Sequence, residues 1–424
     1  MSYANYEVKF GDYNGFTDIT DRVRGLQTSV KCRVGELNSA EATLTLDNDD
    51  GAFTPGIGGT YSSVDLFSQA VIINKGSSTY PLFHGIVDQV QYFDNGTNST
   101  VQLQCVDALT VGGRSPNGYI RGSYTIDLDY EMIESLYNGL TSGGVVYFEP
   151  CGLPTLDGGT TPTVSVEVMD TLDTGSVFNY FVSFGLGDNN VKSVLNNDMM
   201  PAFLGVGWPT TIDVTGGSAV YNCQLVQQLT RESATKFSFG GASGIPIQTL
   251  EAGFRTDLLY NSATADQEPG GAGPVTLQDT ASIEKYGVRH INVNLLKAYR
   301  SISADPVWAE DFFTQNYSTR FTEVRYTPIR MTVLLEAAEA ENIAEATMHQ
   351  LMSIDDGIWQ LAEITYRPTG AATDVTELCV IAGRTISAVP GRTTIDLELL
   401  PAVDYQSFVL NSNDLGVLNQ NRLG

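Results

Sequence analysis

Hydrophobic and polar positions alternate strictly in the early part of the chain. Ala42-Thr43-Leu44-Thr45-Leu46-Asp47 and Val101-Gln102-Leu103-Gln104-Cys105 place an apolar side chain at every second position. That is the period of a strand with one buried face. Breakers separate such runs: Gly11-Asp12-Tyr13-Asn14-Gly15, Asp47-Asn48-Asp49-Asp50-Gly51 and Asp94-Asn95-Gly96-Thr97-Asn98. The last lies between residues 87–93 and 101–106, and its Asn-Gly pair predicts a hairpin. Asp47 to Gly51 also reads as a hairpin turn, with Asp and Asn bonding locally and Gly taking positive φ. Short strands at this spacing predict a small barrel or sandwich.

From about residue 116 the period changes. Leu128, Met132, Ile133, Leu136, Tyr137 and Leu140 form one helical stripe, and Gly139 supplies its stop. Residues 141–218 carry only modest apolar runs between glycine pairs, and no element is assigned there. Tyr221, Leu225 and Leu229 predict a helix over 219–232. Lys236-Phe237-Ser238-Phe239, a glycine-rich turn and Ile245-Pro246-Ile247 read as a hairpin, and 266–274 as a linker. Further on, Thr280 is placed to cap a short helix ending at Gly287, and Asp305-Pro306 opens another helix through about Asn316. Ala340, Ile343, Ala344, Thr347 and Leu351 mark one face of a single helix. Residues 291–295, 331–335 and 395–399 read as strands. The pattern as a whole is α+β and β-dominated.

Composition narrows the function. At 424 residues the chain has room for roughly three domains and a core that needs no staple. Its 49 acidic and 23 basic residues leave a net charge of −26. A sequence-reading nucleic-acid binder needs a basic stripe, and an anionic membrane surface attracts one, so both are disfavoured. Five scattered cysteines make no disulfide framework. Cys105 and Cys379 lie in phase with apolar neighbours and read as small buried hydrophobes. The first residues have neither a basic region nor an apolar core, so no secretory signal is expected. No window is apolar for long enough to span a membrane as a helix.

Little chemistry is legible. His84, His290 and His349 are the only histidines, and none sits at metal-ligand spacing. His84 reads as an edge or solvent-facing side chain. The acidic turn fails as a calcium loop, because counting from Asp47 puts Gly51 at position 5 and Gly58 at position 12. Gly56-Ile57-Gly58-Gly59 and Gly205-Val206-Gly207 are loops without a phosphate-binding context. No nucleophile elbow occurs. Paired carboxylates could serve glycoside cleavage, but Trp208, Trp308 and Trp359 are widely spread as sugar platforms. No catalytic, cofactor-binding or metal-binding residue is assigned, and no cofactor is expected.

Resemblance adds more. The stretches Asp18-Ile19-Thr20-Asp21-Arg22-Val23-Arg24-Gly25-Leu26 and Glu36-Leu37-Asn38-Ser39-Ala40-Glu41, running through Asp47-Asn48-Asp49-Asp50-Gly51-Ala52-Phe53-Thr54-Pro55, carry it first. Leu82-Phe83-His84-Gly85-Ile86-Val87-Asp88, Cys105-Val106-Asp107-Ala108-Leu109, Ser282-Ile283-Glu284-Lys285-Tyr286-Gly287 and the tail 408–424 extend it. Together these resemble tail-tip or baseplate hub proteins of long-tailed bacteriophages, also called minor tail or tail-associated proteins. The resemblance implies two tail-tube-like β-barrel domains with interposed α+β domains. The expected division is a first barrel at 1–115, an α+β middle at 116–275, a second barrel-containing region at 276–405 and an extended arm at 406–424.

The resemblance further implies a structural, non-enzymatic virion protein at the distal end of the tail, made in the host cytoplasm. Three copies would join a sixfold tube to a threefold tip and form part of the DNA-ejection channel. Implied partners are further copies of itself, distal tail and tube proteins, the tape measure protein, and tip spike or fibre proteins. DNA passes through without sequence-specific binding, no stable membrane insertion is implied, and a negatively charged lining would keep phosphate from sticking. Many relatives continue into a spike, fibre or peptidase domain; this sequence stops at Gly424, so those tasks are expected of other proteins. Two other readings stand beside this one, a distal tail ring protein with six copies and a carbohydrate-binding or carbohydrate-cleaving surface module.

The last residues repeat Leu-Asn-x-Asn-x-Leu-Gly, at 410–416 and 418–424. This segment is either laid against its own body by its leucines or docked on a neighbouring subunit. Its leucine spacing suits neither a helix nor a long strand, so the leucines need an outside surface. Burying four would contribute about 1.5–3 kcal/mol each, less the cost of ordering the segment. Deleting 408–424 is expected to leave the body's melting unchanged and weaken assembly, as read by native mass spectrometry. Unaltered assembly together with unaltered melting would make the arm passive.

Overall fold

The computed structural model describes residues 6–12, 15–33, 35–56, 58–61, 65–76, 80–114, 123–126, 129–142, 145–148, 161–168, 178–181, 191–196, 205–215, 218–227, 236–254, 259–266, 275–294, 299–300, 326–368 and 370–402, with positions 153, 156 and 200. The first strands are β1 (Tyr6–Asp12), β2 (Gly15–Asp18), β3 (Val23–Lys31), β4 (Glu36–Leu37), β5 (Ala40–Asp47), β6 (Ala70–Lys75), β7 (Tyr80–Asp94) and β8 (Ser99–Val106). Helix α1 (Ala108–Gly113) follows, then β9 (Ser123–Ile126), α2 (Asp129–Asn138), β10 (Leu140–Ser142), β11 (Val145–Phe148), β12 (Thr163–Val168), β13 (Phe178–Phe181), α3 (Val191–Val194), β14 (Gly205–Thr215) and β15 (Ser218–Gln227). Next come β16 (Lys236–Gly240), β17 (Thr249–Phe254), β18 (Ser262–Asp266), β19 (Val275–Gln278), α4 (Thr280–Tyr286), β20 (His290–Asn294) and β21 (Tyr299–Arg300). The chain closes with β22 (Tyr326–Leu334), α5 (Leu335–Ala340), α6 (Glu345–Met352), β23 (Leu361–Tyr366), β24 (Val375–Val389) and β25 (Arg392–Pro401).

Thirteen of the described strands form one sheet, ordered β17-β22-β25-β24-β3-β5-β8-β7-β6-β1-β2, with β23 beside β24 and β16 beside β23. The order contains a duplication. Neighbours run β3-β5-β8-β7-β6-β1 in the first part and β17-β22-β25-β24-β23-β16 in the second, and chain order matches strand for strand. The hairpins also agree in register. A bulge interrupts β7–β8 between Val87 and Gln89, and β24–β25 between Ile381 and Gly383. Strand β6 starts opposite Ile86, and β23 starts opposite the equivalent Val380. Asp94 faces Ser99 as Ala388 faces Thr393, so the two hairpins superpose without insertion or deletion. One pairing differs: β1 is antiparallel to β6, whereas β16 is parallel to β23.

The halves meet where β3 pairs with β24, from Leu26↔Ala388 to Lys31↔Gly383. Cys32 N–H donates to Ala382 O (2.7 Å) at the bulge and extends the ladder. Buried residues of both halves form one continuous core, including Phe10, Leu44 and Leu103 from the first and Phe237, Val333 and Ile395 from the second. Trp208 on β14 is fully buried in it and donates Nε1–H to Ile354 O at 3.1 Å. Arg384 on β24 is also buried; it donates to Met352 O and, at 3.2 Å, to Leu82 O on β7. Burial pulls its pKa down to about 9 and pushes Asp355 nearby up to about 7.

Several sequence expectations hold. The 87–106 hairpin forms, and Asn95 Oδ1 accepts from Thr97 and Asn98 N–H in a four-residue loop. Helix α2 stops at Gly139, which has φ 79°. Cys105 and Cys379 are buried, as are Cys32 and Cys223, and burial raises all four thiol pKa values.

Others are corrected. Of the helix expected over 219–232, the described part, 219–227, belongs to strand β15, because Tyr221, Cys223 and Leu225 also alternate and β12 and β14 flank them. The helix expected over 340–351 is two helices, α5 and α6, broken where Asn342 takes φ 58°. Lys236–Gly240 does not form a hairpin strand with 245–247. The glycines do turn the chain, with Ile245 N–H donating to Ser238 O (2.8 Å), but β16 takes β23 as its ladder partner. Asp279 Oδ1, not Thr280, caps α4 by accepting from Ser282 N–H at 3.0 Å. Asp47 to Gly51 bonds locally as expected but does not join hairpin strands, since β5 pairs with β3 and β8. The Asp305 helix, most of the 266–274 linker and the 406–424 arm lie outside the described residues.

Two outcomes follow from the buried Arg384. Arg384→Met leaves the Leu82 and Met352 carbonyls unsatisfied at about 1–3 kcal/mol each, partly offset by removing a costly buried cation. A net loss of about 2–4 kcal/mol in urea unfolding, at unchanged slope, is expected. Asp355 binds its proton more tightly folded than unfolded. The stability it contributes is therefore full below its ordinary pKa of 3.8 and lost as pH rises through about 7. Asp355→Asn should gain on the parent chain by about 1–3 kcal/mol between pH 5 and pH 8. Parallel pH curves for the two proteins would refute this.

Candidate functional site

The strands of the shared sheet bury one face, and the other is polar. Its composition follows from the alternation: the residues between the buried positions of β3, β5, β8, β24 and β25 are mostly Thr, Ser, Gln, Asp and Glu. Register lines them up across both halves of the molecule. One row runs Thr394, Ser387, Gln27, Thr43, Gln104, Gln89, and the next runs Thr249, Thr332, Asp396, Thr385, Ser29, Glu41. A third row runs Glu251, Arg330, Glu398, Gly383, Lys31.

Gly383 matters in that third row. It has no side chain, so Lys31 Nζ reaches across it to Glu398 Oε2 at 2.6 Å. A Cβ there would lie 3.3 Å from Glu398 Cβ and 3.4 Å from Val30 O. Arg330 approaches Glu398 from the other side at 3.5 Å, and Arg24 pairs with Asp47. The named cations of this face are thus each held by a carboxylate. Beside β3 the face dips into a cleft of about 390 Å³ lined by Lys31, Glu36, Asn38, Glu41, Lys192 and Glu398 among others.

At the cleft wall is a part-buried polar cluster around the fully buried Asp107. Asp107 caps α1 and accepts from Thr110 N–H (2.7 Å), Ala40 N–H (3.0 Å) and Thr110 Oγ1 (2.6 Å). Lys192 donates to Ser39 Oγ and, at 3.3 Å, to Thr110 Oγ1. Burial pushes the Asp107 carboxyl up and the Lys192 ammonium down, and their attraction opposes both shifts. A hydroxyl beside an amine resembles a nucleophile and its base. Here, however, Ser39 Oγ is held between Lys192 and Thr110, and the chain of contacts ends on a capping carboxylate. The arrangement ties α3 to α1 and β5.

The histidines are structural. His84 is not the solvent-facing side chain expected. Its Nδ1 accepts from Ile212 N–H (3.1 Å), so Nε2 carries the proton and meets Asn74 Oδ1 at 3.0 Å. Burial pulls its pKa down to about 3, and the neutral ring locks β14 against β7. Nothing local in Phe83-His84-Gly85 announces those partners. His290 Nδ1 lies 2.9 Å from Ser262 Oγ. His349 sits in α6 against the Tyr80 ring, 3.6 Å from Glu345. Trp208 and Trp359 are buried and offer no sugar platform, while Trp308 lies outside the described residues. In the acidic turn, Arg22 forks onto Asp50 at 2.9 and 2.7 Å, and its hydrogen bonds bring that carboxyl down to about 2. Among the described residues no group of three or more His, Cys, Asp or Glu could hold a metal ion. The polar face, rather than any pocket, is the candidate functional surface.

No protein-family model matches the sequence, and no curated protein matches it. Solved structures do match. The 43 kDa tail protein of prophage MuSo2 from Shewanella oneidensis is 12% identical with a TM-score of 0.53, covering 94% of this chain and 99% of that one. A tail protein from Neisseria meningitidis is 10% identical with a TM-score of 0.53, covering 95% and 99%. At such low identity the similarity concerns backbone architecture, and it runs through nearly the whole of each chain. The β-dominated fold built here on a duplicated strand set is the fold of these phage tail proteins.

Proposed function

We infer that the chain is a non-enzymatic structural subunit of a phage tail, a hub at its distal end in which three copies form a ring around the path of the DNA. The observation that carries this reading is the duplicated strand set joined through β3 and β24. Each chain brings two equivalent units, so three chains bring six, the count that matches a sixfold tube. The threefold difference between the units lies in their insertions. In this reading the first unit falls within the proposed 1–115, and the second combines β16 and β17, which precede the proposed boundary at 276, with β22 to β25 from the proposed 276–405.

The polar face supports a DNA path along it. A duplex sliding past must not be held, and a lining mostly of Thr, Ser and Gln, on which Lys31, Arg330 and Arg24 are each held by a carboxylate, offers phosphate little to replace its counterions. The chain's net charge of −26 acts in the same sense. Distal tail, tape measure and tip proteins are the partners of such a ring.

Native mass spectrometry of the assembled protein, with imaging of the labelled particle, tests the reading. Three copies at the tail's distal end are expected. Six copies would favour the distal tail ring instead, and a single chain within the particle would overturn both.

A further inference from the structure

The duplication leaves one contact filled in the second unit and empty in the first. In the second unit, the half of β24 beyond its bulge has β25 on one side and β3 on the other. The equivalent half of β7, residues 89–94, has β8 on one side and no strand on the other among the described residues. The counterpart of β3 is β17, and it is also an edge, paired to β22 alone among the described residues. The second unit's socket is filled by β3 of the first, while the first unit's socket on β7 and the second unit's matching strand β17 both remain edges of the sheet among the described residues.

Burial agrees position by position. Ile386 in β24 is 0% exposed and Val30 in β3 is 2% exposed, each covered by the other half of the molecule. Their equivalents Tyr92 in β7 and Phe254 in β17 are 43% and 71% exposed, and Phe93 is 52% exposed. Large aromatic side chains on bare strand edges are a ready template for pairing with another chain.

We propose that the free edge of β7 receives β17 of a second copy of this chain, antiparallel and in the register of β24 with β3. The register is fixed by one row of the sheet. Val90, Leu103, Leu44 and Leu26 lie opposite one another in the first unit as Arg384, Leu397, Met331 and Leu250 do in the second. Leu250 therefore stands for Leu26, and the observed pairs Leu26↔Ala388, Gln27↔Ser387 and Thr28↔Ile386 become Leu250↔Asp94, Glu251↔Phe93 and Ala252↔Tyr92 between copies. The contact is head-to-tail, so it closes into a ring or runs on as a filament according to its rotation. The polar rows continue across it, with Phe93 and Glu251 on that face. The pairing follows from the duplication; only the number of copies rests on the ring reading above.

A disulfide test uses the assembled protein and the exposed pair on the polar face. The double variant Phe93→Cys with Glu251→Cys should form interchain disulfides under mild oxidant at least tenfold faster than either single variant. It should also exceed Phe93→Cys with Thr249→Cys, which is displaced by two positions. The buried native thiols Cys32, Cys105, Cys223 and Cys379 should stay out of the reaction. Products ending at three chains on a non-reducing gel support both the pairing and the ring. No increase while native mass still gives three copies overturns the pairing and leaves the ring. Products continuing past three keep the pairing and overturn the three-copy ring. A disulfide closed within one chain overturns the pairing. As a second measurement, Phe254→Asp should raise the dissociation constant of assembly at least tenfold at unchanged melting of the single chain; equal assembly would count against the contact.

Discussion

Six residue pairs between β3 and β24 hold this molecule together as one sheet. They join segments near opposite ends of the chain, so almost the whole sequence lies in the loop they close. Loop-closure entropy grows only slowly with length, which makes such a contact tolerable once the ladder and the core beneath it form together. The core side of this seam holds Val30, Ile386 and the buried Arg384, whose guanidinium reaches carbonyls on β7 and at the end of α6. A buried cation is costly, and this one is retained where its two terminal nitrogens donate to backbone carbonyls of two separate elements.

The seam also sets the character of the exposed face. Because strands of the two units lie in one register, their outward residues fall into rows that cross the junction without a break. Gly383 at the bulge lets Lys31 reach Glu398, so a cation of the first unit is neutralised by a carboxylate of the second. The result is a wide surface of hydroxyls, amides and paired charges over a common apolar core.

The two units share strand order and register but almost no side chains, which is why they are hard to see in the sequence. Across the aligned hairpins only Thr100 with Thr394 and Leu103 with Leu397 are identical. What persists is the alternation, the bulge and the turn position. The insertions differ: 255–325 interrupts the second unit between β17 and β22, and the helices α5 and α6 occupy the place of the 48–69 loop. Helix α6 also supplies the carbonyl that Arg384 needs, so an insertion has become part of the seam.

By itself the sequence determined the local structure. Strict alternation at 42–47, 101–105 and 395–399 required strands, the stripe through Met132, Ile133, Leu136 and Tyr137 required a helix, and Asn95-Gly96 required a turn. These features depend on neighbours a few residues away, where period and turn chemistry decide. The tertiary structure decided the rest. A spacing of four, as in Tyr221, Leu225 and Leu229, suits a helix and also a strand, and only the flanking β12 and β14 select the strand. The glycines after Phe239 required a turn, but β23 rather than 245–247 became the ladder partner. His84 looked solvated until Asn74 on the paired strand β6 and Ile212 from the distant β14 came to it. Strand pairing is made by backbone groups that every residue carries, so alternation reports that a strand has a buried face and not which strand lies beside it.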